Sequence, residues 1–186
     1  MNHDARSLSL AFAISAALTV GPSPRLDAQS GPRTEARAAA EQGREYHLLL
    51  SADHESIAAH AAVLAELGSS VTVLNIRVAK QLVDEMTTEL ADARIHHAEI
   101  DTALTASGAR AVHAIHTRLI ARHDAISATL ARLRTALALP PLDVDRPTVA
   151  RDAARIYWEA KDAEAANREV RGARGMKTLA VPKRPS

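Results

Sequence analysis

Histidines at helical spacing are the residues of this 186-residue chain whose type and placement best suit chemistry. They occur in three stretches, which carry His47 and His54, then His97, then His116 and His123. Each falls where alternating steps of three and four residues would turn it toward a neighbouring helix. An imidazole can bind a transition metal or a proton, and a buried imidazole needs a partner for its ring nitrogens.

Antiparallel packing of consecutive helices predicts which histidines meet. Counting residues back from turns near Ser69 and Ser107, at about 1.5 Å of rise per residue, places His97 opposite His116. The same count places His123 level with His47 in the adjacent layer, whereas His54 falls farther along the bundle. We therefore expect a transition-metal site for Zn, Cu, Ni or Fe, in a carrier, buffer or sensor without catalytic activity. Its candidate ligands are His47, His54, His97, His116, His123, Glu85 and Glu89.

A structural role is the alternative interpretation of the same histidines. A polar residue in a helical seam can hydrogen-bond to a neighbour and so set register, oligomeric state or pH response. Under this interpretation the chain is a self-associating interaction module, a homo-oligomer or a binder of partner helices. The sequence leaves both interpretations open.

Composition and motifs argue against several other functions. The chain has no Cys, which excludes thiol catalysis and thiolate metal sites, and its net charge of +1 gives no electrostatic reason to expect nucleic-acid binding. The Glu-x-x-His pair of di-iron helical bundles is absent, as is a Gly-rich phosphate loop. Ser51 and Ser127 lie near histidines in sequence, but without a strand-turn elbow they read as ordinary helix residues. An enzyme is therefore the less favoured interpretation.

The elements that must position the histidines are helices. The chain has 40 Ala, 7 Gly and only four aromatic residues, and it has no sustained alternation typical of strands. We expect an all-α antiparallel bundle of three long helices plus a shorter fourth, spanning about residues 35–67, 71–104, 108–139 and 147–171. A short strand competes only at 71–76, which is rich in β-branched residues.

Each predicted helix carries a coiled-coil-like seam. The seam residues are His47, Leu50, His54, Ile57, Ala61 and Leu64; Ile76, Ala79, Val83, Met86, Leu90, Ala93, His97, Ile100 and Leu104; Val112, His116, Leu119, His123, Ile126, Leu130, Leu133 and Leu137; and Val149, Ala153, Ile156, Ala160, Ala163, Asn167 and Val170. In the first three helices, every polar seam residue is a histidine.

The ends of the chain are predicted to lie outside this bundle. Residues 1–28 resemble a secretory signal peptide, with an apolar run too short to span a bilayer, so we expect a periplasmic or secreted protein with no stable membrane insertion after cleavage. Residues 29–34 are expected to form a disordered leader, and 172–186 a basic flexible tail. Residues 35–171 then form the helical-bundle domain.

Overall fold

Four α-helices make up nearly all of the chain that the computed structural model describes, which is residues 32–70, 73–105, 110–173 and 176. They are α1 (Pro32–Ser69), α2 (Ile76–Thr105), α3 (Arg110–Leu137) and α4 (Arg146–Ala173). No strand occurs in these ranges. The all-α prediction is confirmed, but the prediction of a shorter fourth helix is wrong, since α3 and α4 both contain 28 residues.

The helix boundaries follow from local capping and differ most from the prediction at two places. Pro32 starts α1 inside the segment predicted as a leader, while the predicted signal peptide, 1–28, lies outside the described residues. The second helix begins at Ile76 instead of 71, because the Asn75 side chain accepts a hydrogen bond from the Val78 amide, 3.2 Å away, and so caps the helix. Residues 73–75 are irregular and form no strand. In addition, α4 extends to Ala173, inside the predicted tail of 172–186, of which 174–175 and 177–186 lie outside the described residues.

Each helix runs antiparallel to the next, since later residues of one contact earlier residues of its neighbour. The contacting pairs are Asp53–His96 and His60–Glu85 for α1 and α2, Arg94–Asp124 and Asp84–Arg134 for α2 and α3, Arg118–Glu169 and Arg132–Asp152 for α3 and α4, and Ser51–Glu164 and Gly68–Ala150 for α1 and α4. The four helices form a ring that closes where α4 packs on α1. The α1–α4 interface is the most extensive of the four, and the α2–α3 interface is the least extensive.

The predicted seams face the interior. Every seam residue whose side chain is described is buried, except the half-buried Ile76. The buried apolar residues form two clusters, a larger one around Ile57, Met86 and Leu133 and a smaller one around Leu50, Ile100 and Leu119. No described helix is apolar enough over a sufficient length to cross a membrane.

Candidate functional site: a buried histidine layer

Four imidazoles meet inside the bundle where the two apolar clusters adjoin. His54 comes from α1, His97 from α2, and His116 and His123 from α3, and none of the four side chains is more than 6% exposed. We call these four residues the histidine layer. The sequence predicts each of them as an inward-facing residue, and the structure confirms it.

The layer consists of two hydrogen-bonded pairs. Nε2 of His54 lies 2.9 Å from Nε2 of His123, and Nε2 of His97 lies 2.6 Å from Nδ1 of His116. The predicted pairing of His97 with His116 is thus confirmed. His97 also meets the ring of His123 edge to face, with the centroids 5.7 Å apart, so the two pairs form one continuous group.

Each pair can hold only one proton between its facing nitrogens. A ring nitrogen must accept where the other donates, so a second proton would place two N–H groups against each other. Burial is the main cause that lowers the pKa of His97 to about 4, with the charge of His116 adding to it. Burial likewise lowers the pKa of His123 to about 3, with contributions from His54, His97 and Arg94. At neutral pH these two imidazoles are therefore uncharged.

Glu164 on α4 adds a carboxylate to the layer. It is 3% exposed, and its Oε2 lies 3.7 Å from Nδ1 of His54. Its Oε1 accepts hydrogen bonds from Ser51 at 3.1 Å and from Arg168 at 2.9 Å. Burial alone would raise the pKa of Glu164, but the interactions with His54, Arg168 and Ser51 outweigh it and hold the pKa at about 2. Glu164 is thus ionised at neutral pH.

Sequence reasoning missed Glu164 because the residue directly follows the seam position Ala163. The amphipathic pattern of this helix predicts that a charged residue at that position faces solvent. The available signal was its spacing of three residues from Asn167, the only polar seam position on the fourth helix, which places both side chains on one face.

His47 lies outside the layer and has a different partner from the one predicted. Its Nδ1 donates to Oδ1 of Asn167 at 2.6 Å, and Nδ2 of Asn167 donates to the His47 carbonyl at 3.0 Å and to Ser51 Oγ at 2.9 Å. The predicted alignment of His47 with His123 is wrong, since His123 pairs with His54. These contacts tie α1 to α4 one heptad away from the layer.

The two predicted carboxylate ligands gather around His60, which the seam analysis left out. Nδ1 of His60 lies 3.2 Å from Glu89, which also accepts a hydrogen bond from Ser56 at 2.5 Å. Nε2 of His60 lies 3.6 Å from Glu85. These side chains are partly exposed, with His60 at 30%, so they form a polar edge between α1 and α2.

Two further histidines also lie away from the layer. His96 is hydrogen-bonded at 2.6 Å to Asp53, whose pKa burial raises despite that contact. His113 is exposed whereas His116 is buried, so the two do not share one surface site.

The length of the first connection explains the misplaced register. The prediction puts the α1–α2 turn at Ser69, but Ser70–Asn75 connects the helices, and the centre of the turn shifts toward residue 73. That shift moves α2 along α1, so the residue level with His54 changes from Glu85 to one near Ala93. His54 is consequently level with the part of the bundle that contains His97 and His123.

Within the described ranges, no group of three or more His, Asp or Glu side chains is arranged to hold a metal ion. No protein-family model matches the chain, and neither a curated protein nor a solved structure is found to be similar to it. The molecule is a four-helix bundle with buried histidines in hydrogen-bond and salt-bridge networks.

Proposed function

We propose that this protein is a non-catalytic interaction module whose histidine layer makes its folded state responsive to acid. The observation that carries the proposal is the pairing of four buried imidazoles at 2.9 Å and 2.6 Å, in which the one proton that fits between each pair of facing nitrogens is already in place. Acid adds positive charge to His97 and His123, whose burial favours the neutral form. The bundle then loosens and makes its apolar seams accessible to a partner.

The size of the apolar core supports a response of this kind. Several seam positions are Ala, which buries less apolar surface than Leu, so the core contributes less to the free energy of unfolding than a Leu-rich core would. A few kcal/mol of pH-dependent destabilisation is then a large fraction of a typical 5–15 kcal/mol. The proposal also includes export through the signal peptide predicted at 1–28, because a protein outside the cytoplasm meets changes of external pH.

A reversible acid transition is the test. The wild-type protein is titrated from about pH 8 to pH 3, the range over which a histidine of lowered pKa gains its proton, and followed by circular dichroism and an apolar-surface dye. The double variant His97→Leu with His116→Leu removes one pair, and the transition is expected to move to lower pH. His113→Gln is the matched control because His113 is exposed, and it should leave the transition unchanged. A transition at the same pH in all three proteins would refute the proposal.

Transition-metal binding is a second candidate, favoured by one specific contact. Among the described residues, Nδ1 of His54 and Oε2 of Glu164 are buried and have no hydrogen-bond partner, and their separation of 3.7 Å is too long for a hydrogen bond between them. An imidazole and a carboxylate are ligands that Zn²⁺, Cu²⁺, Ni²⁺ and Fe²⁺ accept, and His123 adds a neutral imidazole beside them. In this candidate the layer stores or carries the ion.

Metal content separates the two candidates. Elemental analysis of the isolated protein, and its melting temperature with each of the four ions, are compared between the wild type and His54→Gln, with His113→Gln as control. Bound metal, or a metal-dependent rise in melting temperature, that disappears only in His54→Gln would support this second candidate. Its absence from the wild type would exclude it and leave the acid response as the function.

A further inference from the structure

We infer that acid opens the bundle between α2 and α3 while α1 and α4 stay together, so that the exposed surface is the seam shared by α2 and α3. This inference rests on the acid response proposed above and specifies where it acts. It follows from the position of the histidines relative to the four helix interfaces.

The histidine contacts concentrate on α3. One pair joins α3 to α2 through His116 and His97, and the other joins it to α1 through His123 and His54. His97 on α2 faces both histidines of α3. Protonation of His97 and His123 therefore places like charges on α2 and on α3, facing each other.

The charged groups around these two helices do not offset that repulsion equally. His97 is influenced by Asp101 of its own helix, by His116 of α3, and by His47 and His54 of α1. Asp101 also lies 3.7 Å from Nδ1 of His116 on α3, but it is 58% exposed, so its attraction to either ring is screened by water. His123 is influenced by His54, His97 and the cationic Arg94, none of which favours its protonated form. By contrast, His54 has the buried carboxylate of Glu164 beside it.

The α2–α3 interface is also the least extensive of the four interfaces. Of its cross-helix ion pairs, Arg94–Asp124 and Asp84–Arg134 have every side chain at least 45% exposed, where such pairs contribute little. A further pair joins buried His116 to Asp101 at 3.7 Å, but this carboxylate is 58% exposed.

The α1–α4 interface is held together more closely. A Cβ built on Gly68 would lie 2.9 Å from the backbone nitrogen of Ala150, so the two helix backbones approach closely there. The buried contacts of His47, Ser51, Asn167 and Glu164 join the same helices. Acid is therefore expected to separate α2 from α3 first.

Chemical cross-links between introduced cysteines can locate the opening. The chain has no Cys of its own, so only the introduced residues react. Arg94→Cys with Asp124→Cys allows a bismaleimide link between α2 and α3, and Arg118→Cys with Glu169→Cys allows one between α3 and α4. Each parent pair is an exposed ion pair, at 2.8 Å and 2.6 Å, so the positions are matched. Every linked protein is compared with its own unlinked form, which cancels the effect of the substitutions.

The α2–α3 link is expected to lower the pH at which the apolar-surface dye binds, by about one unit or more, and the α3–α4 link to leave it within about a quarter of a unit. Global unfolding would give the opposite order, because the link between 118 and 169 closes the longer loop and restricts the unfolded chain more. Equal shifts, or a larger shift for the α3–α4 link, would overturn the inference. If wild-type protein binds no dye at any acid pH, the proposed function itself is wrong.

Hydrogen exchange gives an independent check on the wild-type protein. Just above the acid transition, amides of α2 are expected to lose protection before those of α1 and α4. Simultaneous loss in all four helices would contradict local opening, even where the acid transition itself is observed.

Discussion

Nε2 of His54 on α1 lies 2.9 Å from Nε2 of His123 on α3, and these two helices are not adjacent in the ring of four. The contact therefore spans the interior of the bundle. His54 is completely buried and His123 is 1% exposed, so water does not separate the rings. A pair in this position links two helices whose backbones are not neighbours.

The free energy of unfolding is expected to fall with acidification, and the sign follows from the lowered pKa values. An unfolded histidine binds its proton near pH 6.5, whereas folded His97 and His123 bind theirs only near pH 4 and pH 3. The unfolded state thus holds more protons between these limits, so stability present above pH 6.5 is lost progressively down to about pH 3. At about pH 5 each residue costs about 2 kcal/mol, or about 4 kcal/mol together.

Urea unfolding at a series of pH values measures this loss. His113→Gln is expected to follow the wild-type curve, since His113 is exposed. A free energy of unfolding that stays within about 1 kcal/mol between pH 8 and pH 5 would contradict the prediction.

The pair of His97 and His116 predicts non-additive substitutions. His97→Leu alone removes the nitrogen 2.6 Å from Nδ1 of His116 and should cost about 1–3 kcal/mol at neutral pH. The double change, His97→Leu with His116→Leu, removes both polar rings and leaves an apolar contact, so it should cost less than the sum of the single changes. A double-mutant cycle by urea unfolding measures the difference. Additivity within about 0.5 kcal/mol would show that the two rings are not coupled.

Glu164→Gln should destabilise the fold by about 2–3 kcal/mol at neutral pH, because it removes the charge that holds His54 and Arg168. The pKa of Glu164 is lowered to about 2, so its stabilisation is present above about pH 4.5 and disappears as pH falls toward 2. The wild type and the variant are therefore expected to converge in strong acid. Glu169→Gln is a control on the same helix, where the carboxylate pairs with Arg118 at the surface. A Glu164→Gln deficit that stays constant with pH would contradict this assignment.

Helical periodicity explains why so much of the interior was predictable. Burial on a helix depends on a repeat that local sequence reveals, so the seam of α1 from His47 to Leu64 was predicted without knowledge of any partner helix. All five seam histidines are buried for the same reason. The packing partner of α4 was not predictable in this way, because it depends on tertiary contacts. The length of α4 was not predictable either, because it depends on the distance between two capping signals.

Partners across the bundle were harder to predict, because they depend on register. A few residues of irregular chain before Ile76 shift α2 along α1 by about two turns, enough to exchange the partner of His123. Glu85 and Glu89 reach His60 for the same reason. Glu164 was missed because a carboxylate becomes buried only where neighbours such as Arg168 and Ser51 satisfy it, which a pattern of one helix does not reveal.

The close approach of α1 and α4 gives a last prediction, with a matched glycine as its control. Gly68→Ala would place a Cβ 2.9 Å from the Ala150 nitrogen and 3.0 Å from its Cβ, and backbone atoms there have little room to move. We expect a loss of about 1–3 kcal/mol by urea unfolding. Gly172→Ala meets nothing within 4 Å and lies in the last turn of α4, so it should be neutral or stabilise by up to about 1 kcal/mol. Because the change in helix propensity is the same at both sites, the difference between the two variants measures how tightly α1 and α4 are packed. Equal effects of the two substitutions would mean that these helices have room to separate, and α1 and α4 would then no longer be the part of the bundle that stays together in acid.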